Sequence, residues 1–428
     1  MDSQKIKSNN TVNKKLTIGL FGFGVVGKGL YDVLHATPAL NASIKKICVR
    51  SSSKERSISA DHFTTDASII LQDADINVIV ELIDDAGAAY HIVKTALQYG
   101  KAVVSANKKM IAAHLDELIQ LQQQFGTAFL YEASCCASIP IIRNLEEYYD
   151  NDLLHAVRGI INGSTNYILT KMADEGLSFK KALLDAQQLG FAESDPSLDV
   201  EGHDAANKLS ILAFHSFGTL IKPGKLLFSG IGSISEKDSR YAKEKKWEIK
   251  LVAQARRLTN GSLAAFVLPR FITADDDLYA VKNEFNALVT ESCFADKQFF
   301  KGKGAGSYPT AAAVLSDITA LRYDYKYEYK KSRLKDNIEY DHDYYLKVYI
   351  GADQAEKIDK SVFEWIEEWR TDHYYSIASG VIHAQRLFEN LWWKNEGVSL
   401  IVFSEPIIEN IDHRSIRKKS LELAGVLS

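Results

Sequence analysis

The stretch LTIGLFGFGVVGKGLYDVL, residues 16–34, constrains the fold of this chain more than any other. An apolar run of β character leads into Gly22, Gly24 and Gly27, and a helical pattern follows that stops before Pro38. Glycine at the first position permits a tight turn. At the second it lets backbone approach a pyrophosphate, and at the third it lets helix and strand pack closely. The helix that opens here offers unpaired N–H groups and a positive dipole end to the same place. G-x-G-x-x-G is a weak pattern alone; between a strand and a helix it predicts a dinucleotide-binding unit.

Further strand patterns in SIKKICVRSSS, INVIVELI, KAVVSANKKM and TAFLYEAS alternate with helices in GAAYHIVKTALQYG and AAHLDELIQLQQQFG. That alternation predicts an α/β fold, a Rossmann-type doubly wound parallel sheet over residues 16–137, behind a polar tail at 1–15. The second strand ends at Arg50, where an acid would bind a ribose 2′-hydroxyl, and Lys54 and Arg56 follow. A cation there suits a 2′-phosphate, which favours NADP(H) over NAD(H). Residues 138–300 mix helices and strands without strict alternation and read as an α+β domain. Tyrosines and charges dominate 323–343, which reads as a connector. The block 344–428 has a strand–helix–strand–strand outline of a small α/β module. Within its DKSVFEWIEEW, residues Val362, Phe363, Ile366 and Trp369 stand at helical spacing and predict the core face of a helix.

Composition excludes several classes. Hydrophobic residues at 46% and charged residues at 25% suit an ordinary globular protein. A net charge of −4 supplies no basic footprint for nucleic acid. No apolar run approaches the roughly 20 residues of a membrane span, and the polar start argues against a secretory signal. Cys48, Cys135, Cys136 and Cys293 form no CxxC pair and no zinc-spaced cluster, and read as reduced thiols of a cytoplasmic protein.

The segment GFAESDPSLDVEGHDAANKL, residues 190–209, crowds Glu193, Asp195, Asp199, Glu201 and Asp204 ahead of a helical pattern. Lys208 follows Asp204 at i, i+4, which by spacing alone reads as a solvated ion pair worth about 0.3 kcal/mol. Taken with VELI…SANKKM, YEAS…IPII, INGSTNYILTKM and GKGAGSYPTAAAVLSDI, however, the segment resembles homoserine dehydrogenase over roughly residues 16–322. The resemblance implies oxidoreduction between L-homoserine and L-aspartate 4-semialdehyde with a nicotinamide cofactor, on the route to threonine and methionine. It also implies a monofunctional enzyme and a homodimer or higher homo-oligomer.

Carried over by motif, Lys208 matches the family's acid/base. Lys108 matches a second lysine that approaches both nicotinamide and substrate oxygen. Two ammonium groups brought to one site would depress each other's pKa, as a lysine general base requires. Glu193 and Asp204 match acids that bind the substrate, whose ammonium needs a carboxylate. Asp195, Asp199 and Glu201 remain capping, loop or supporting charges, and His203 reads as packing. For the cofactor the match extends from Gly22, Gly24, Val25, Val26, Gly27 and Arg50 to Ile83, Ser105, Lys108 and Gly190. It closes at Gly304 and Gly306, where the chain returns over about 301–322 to complete the dinucleotide-binding domain. A sodium-binding turn of the family matches the Glu132 side chain and the carbonyls of Cys135, Ala137 and Ile139. Cysteines, alanine and serine stand where the family carries valine and glycines, so this turn must form without them. The block 344–428 resembles a divergent ACT module that lacks an Asp-x-Pro-Gly turn after YYLKVYI. A different semialdehyde or hydroxy-acid dehydrogenase, or a non-catalytic nucleotide sensor, are the competing readings. The joint presence of Lys108, Lys208, Glu193 and Asp204 speaks against the sensor.

Overall fold

The computed structural model describes residues 14–51, 54–151, 153–333 and 338–411. The chain forms two compact units, Met1–Asp150 with Gly302–Lys330, and Asn151–Lys301 with Lys331–Ser428.

In the first unit the strands β1 (Leu16–Phe21), β2 (Ala42–Cys48), β3 (Phe63–Thr64), β4 (Val78–Glu81), β5 (Ala102–Ser105) and β6 (Phe129–Leu130) form one parallel sheet. Its order is β3-β2-β1-β4-β5-β6. The connecting helices are α1 (Val25–Ala36), α2 (Ser68–Leu71), α3 (Ala86–Gln98) and α4 (Lys108–Phe125). Ile18, Leu20, Val78, Ile79, Val80, Val103 and Val104 are all buried, so these strands read as continuous apolar runs because both faces of the sheet are covered. The winding reverses between β1 and β4, and ligands of such sheets bind beyond the strand ends at that reversal. TAFLYEAS yields only the two residues of β6. Beyond it the Glu132 N–H donates to the Asp317 carboxylate instead of a neighbouring strand, and Glu132–Ser134 closes a short 3-10 turn before α5 (Ile141–Glu147).

The second unit opens with β7 (Leu154–Ile160), α6 (Gly163–Glu175), α7 (Phe179–Gln188), α8 (Ser197–Val200) and α9 (His203–Phe217). It continues through β8 (Leu227–Phe228), α10 (Glu236–Glu244), β9 (Glu248–Arg257), β10 (Leu263–Ile272), β11 (Phe285–Ser292) and β12 (Asp296–Lys303). The chain then supplies α11 (Ser307–Leu321) to the first unit. After it come β13 (Tyr345–Ala352), β14 (Phe363–Thr371), β15 (Ser376–His383), α12 (Ala384–Glu389) and β16 (Val398–Ile408). Strands of this unit form a mixed sheet in the order β12-β11-β7-β9-β10-β16-β13-β15-β14, with β8 paired to β10. The C-terminal strands are therefore hydrogen-bonded into this sheet instead of closing as a module of their own. Phe266 and Leu268 of β10 share one core with Leu346, Val348 and Ile350 of β13.

The helix expected in DKSVFEWIEEW is the strand β14. Its pairing with β15 matches Phe363 to Ile382, Ile366 to Gly380 and Trp369 to Ala378, with register shifts between Phe363 and Trp365 and between Ile366 and Glu368. Each shift is a bulge that inserts one extra residue, Glu364 and then Glu367. Two bulges stretch the two-residue period of a strand to three, so Phe363, Ile366 and Trp369 all face the core at a spacing that imitates a helix. The stretch 323–330 of the expected connector packs into the first unit. Tyr327 and Tyr329 are buried while Lys326, Glu328 and Lys330 are exposed, and the Tyr327 ring meets Tyr131 edge-on at 5.0 Å.

Candidate active site

The glycine loop has the geometry its sequence requires. Gly22 sits at φ 94°, and a Cβ there would lie 2.6 Å from the Leu82 carbonyl and 3.2 Å from Ile83. A Cβ on Gly27 would lie 2.3 Å from the Gly22 carbonyl, so only glycine lets α1 start this close to the turn. Gly24 faces open space and is the N-cap of α1, with no side chain capping the first turn. Val25 next to it is 71% exposed, an apolar side chain held in solvent at the mouth of the loop. Val26 is half-buried and Arg50 is exposed beyond β2. Arg56, by contrast, folds back onto the Ser51 and Lys54 carbonyls. The return helix α11 packs on α1 where the Ser307 hydroxyl donates to the Val25 carbonyl at 2.7 Å. Gly306, at φ 119°, caps α11, and Gly304 is half-buried in the same loop.

Ile83 and Ser105 are joined by a residue that the motifs quoted above contain without assigning. Glu81, fully buried at the end of β4, accepts the Ile83 N–H at 2.7 Å and the Ser105 hydroxyl at 2.6 Å. Burial pushes its carboxyl up to about 7. Asn107 caps α4 by accepting the Met110 N–H, and half-buried Lys108 is the first residue of that helix.

In the second unit, α9 is buried all round along most of its length. A charge in such a helix demands a partner. Lys208 Nζ lies 2.8 Å from Asp204 Oδ2 and donates to the Ile161 carbonyl at 2.8 Å. The two side chains are 8% and 5% exposed, so this i, i+4 pair is not the solvated one that spacing alone suggests. Asn162, the N-cap of α6, bonds with its Nδ2 to Asp204 at 2.9 Å and to Asp199 at 2.7 Å. Gly202, at φ 87°, lets α9 begin against the Ser229 carbonyl, which a Cβ would approach to 2.6 Å. Asp195 is spent on a local turn with Ser197, and exposed Glu201 pairs with His203 at 3.3 Å. Glu193 is exposed after α7, its carbonyl held by the Gln187 amide at 2.9 Å. Gly190, at φ 76°, ends α7 in the left-handed conformation that favours glycine.

In the turn after β6, Glu132 accepts the N–H groups of Ile142 and Arg143 at 2.8 Å each. Burial, with the neighbouring Asp317, pushes its carboxyl up to about 7. Cys135, Ala137 and Ile139 are buried, and Ala137 adopts φ 43°, the left-handed region, although it is not glycine. No disulfide joins Cys48, Cys135, Cys136 or Cys293. Among the described residues no helix is long and apolar enough to cross a membrane.

Two family models match the chain: "Homoserine dehydrogenase, NAD binding domain" over residues 22–132 and "Homoserine dehydrogenase" over 140–319. The homoserine dehydrogenase of Bacillus subtilis is 35% identical over 317 residues, 72% of this chain and 73% of that protein. That of Synechocystis sp. is 38% identical over 311 residues, 70% and 72% of the two chains. The chain belongs to the homoserine dehydrogenase family. The crystal structure of the homoserine dehydrogenase from Thiobacillus denitrificans superposes with a TM-score of 0.80 at 28% identity, covering 91% of this chain and 98% of that one. As a homoserine dehydrogenase the protein interconverts L-homoserine and L-aspartate 4-semialdehyde with a nicotinamide cofactor, a step toward threonine and methionine. Sequence reasoning about this homoserine dehydrogenase missed Glu81 and Asn162. Their signals were a lone acid closing an apolar strand in VELI and a helix-capping asparagine in INGST.

Proposed function

We propose that Lys208 is the acid/base of the reaction, that Glu193 and Asp204 bind the substrate, and that Lys108 assists at both nicotinamide and substrate. The observation that carries this reading is the buried Lys208–Asp204 pair on α9. When bound, a reduced nicotinamide would supply the hydride for the aldehyde carbon in the reducing direction. Lys208 then gives one ammonium proton to the oxygen, which becomes the hydroxyl of L-homoserine. In the oxidising direction its neutral amine takes that proton back. Asp204 and the Ile161 carbonyl hold the ammonium in one orientation, and Asn162 holds Asp204, so the proton donor is preset rather than searching rotamers.

For the cofactor we propose NADP(H) over NAD(H), bound through Gly22, Gly24, Val25, Val26, Gly27, Ile83, Ser105, Gly190, Gly304 and Gly306, with Arg50 on the 2′-phosphate. An archaeal homoserine dehydrogenase mutant, 27% identical, is in complex with NADPH, which supports this choice. A charge-assisted contact of this kind is worth about 1.5–3 kcal/mol, so Arg50→Ala is expected to lower the NADPH-over-NADH preference in kcat/KM by about tenfold or more. A wild-type enzyme that uses both equally would remove Arg50 from the site.

We also propose that the turn with Glu132 and the carbonyls of Cys135, Ala137 and Ile139 holds a monovalent cation such as sodium. The donor set is all oxygen, and two backbone N–H groups leave lone pairs on the Glu132 carboxylate. Ala137 keeps a left-handed conformation despite the strain. Relief of that strain should make Ala137→Gly more stable by about 1 kcal/mol, read from urea melts in N-methylglucamine and in sodium chloride. Unchanged stability would mean the strain is absent, and a wild-type melt indifferent to sodium would reject the cation. We propose a homodimer or higher homo-oligomer, as the resemblance implies.

A further inference from the structure

At the ends of β4 and β5 four residues close a ring of hydrogen bonds. Glu81 accepts from the Ile83 N–H and from the Ser105 hydroxyl, as above. Ser105 Oγ in turn accepts the Asn107 N–H at 3.1 Å, and Asn107 Nδ2 donates to the Ile83 carbonyl at 3.0 Å. The ring thus ties the loop after β4 to the loop after β5 and to the first turn of α4, where Lys108 sits.

The unusual member is Glu81. Its two hydrogen-bond partners are neutral donors, and the residue opposite it on β1 is Phe21. The charge it feels is that of Asp84, an acid, which pushes its carboxyl further in the direction that burial already drives it. Asp85, before α3, and Lys108 and Lys109, opening α4, are the other charged residues of the loops that meet here. A glutamine would accept the Ile83 N–H equally well without the cost of burying a charge. A carboxylate at this position makes physical sense if positive charge arrives beside it during the working cycle. A nicotinamide ring bound here would supply it, being a cation when oxidised and neutral when reduced.

We propose that Glu81 is a positioning residue for the nicotinamide half of the cofactor, acting through Ile83 and Ser105, and that its ionised form favours the oxidised cofactor over the reduced one. This rests on the reading that Ile83, Ser105 and Lys108 border the nicotinamide. The oxidised cofactor then binds best to the ionised carboxylate and expels its proton, while the reduced cofactor leaves the proton in place. With a carboxyl at about 7 in the free protein, a drop of one unit on binding makes affinity for the oxidised form about fivefold higher at pH 8 than at pH 6.

The test is isothermal titration calorimetry of NADP+ and of NADPH at pH 6 and 8, each in two buffers of different ionisation enthalpy. The 2′-phosphate titrates in both cofactors, so the difference between them isolates Glu81. Wild type should show more proton release and a larger pH-dependent gain for NADP+ than for NADPH. Glu81→Gln should abolish that difference and weaken NADP+ more than NADPH; Glu81→Asp should restore part of it. A Glu81→Gln variant that keeps the wild-type pH dependence, or that weakens both cofactors equally, overturns the proposal. If Glu81→Gln fails to fold, wild-type titrations with no difference between the two cofactors overturn it as well. Lys108→Met serves as the control on the underlying reading: if it changes the binding of neither cofactor, the nicotinamide lies elsewhere and the site assignment fails, not the Glu81 step alone.

Discussion

Lys208→Ala is expected to lower turnover by roughly a hundred- to ten-thousand-fold, the usual worth of a positioned acid/base, while NADPH still binds. The cofactor contacts proposed here, Gly190 apart, lie in the first unit, and Lys208 lies in the second. Fluorescence titration of NADPH and stopped-flow consumption of aspartate semialdehyde separate the two effects. The substitution also costs stability, because buried Asp204 loses its cationic partner; breaking a buried pair from one side costs about 3–5 kcal/mol. Lys208→Arg distinguishes chemistry from charge. A guanidinium keeps Asp204 company but does not give up its proton near neutral pH, so the arginine variant should be better folded than the alanine one and still slow. An arginine variant with near-normal kcat would show that Lys208 supplies charge alone.

The second large effect is on stability, and its sign is opposite to that of most carboxylates. Burial raises Glu81 and Glu132 to about 7 and Asp317 to about 6, all above their usual values. Arg143 pairs with Asp317 at 2.9 Å, and the pair holds the guanidinium charged; for the fully buried Asp317, desolvation still outweighs that partner. A carboxyl raised on folding binds its proton more tightly in the folded state. Its contribution is complete below the unfolded pKa near 4 and is lost as pH climbs through 6 to 7. A carboxyl raised this far contributes about 3 kcal/mol at low pH. The cofactor-free first unit should therefore be several-fold to many-fold better protected from hydrogen exchange at pH 5.5 than at pH 8, after correction for intrinsic exchange rates. Protection in β4–β6 that stays flat or grows with pH would show these groups ionised in the fold. Sodium bound at Glu132 would offset part of the loss on the alkaline side.

Both effects trace to residues that the sequence revealed unevenly. Gly22, Gly24 and Gly27 were legible because backbone geometry alone demands glycine there, whatever the tertiary setting. The parallel strands were legible because burial on both faces leaves apolar runs such as INVIV. Asp204 and Lys208 were legible as a pair but not as a buried one, since i, i+4 spacing is the same in water and in a core. Glu81 and Asn162 stayed hidden because their roles depend on hydrogen bonds to residues 24 and 42 positions away. The stripe in VFEWIEEW misled for a different reason: periodicity counts residues, and a bulged strand spends residues without advancing its pairing.

Those same two bulges decide where the sheet of the second unit stops. β14 is its terminal strand, and an unbroken flat border would serve as a template on which another chain could lay a strand of its own. The inserted residues are both glutamates, and each is anchored by a cation: Glu364 to Arg386 at 3.1 Å and Glu367 to Lys347 at 2.7 Å. A newcomer would meet an interrupted ladder and would have to desolvate two fixed ion pairs to add to it. Growth of the sheet by strand addition is blocked at this border by two glutamates that contribute nothing to its core.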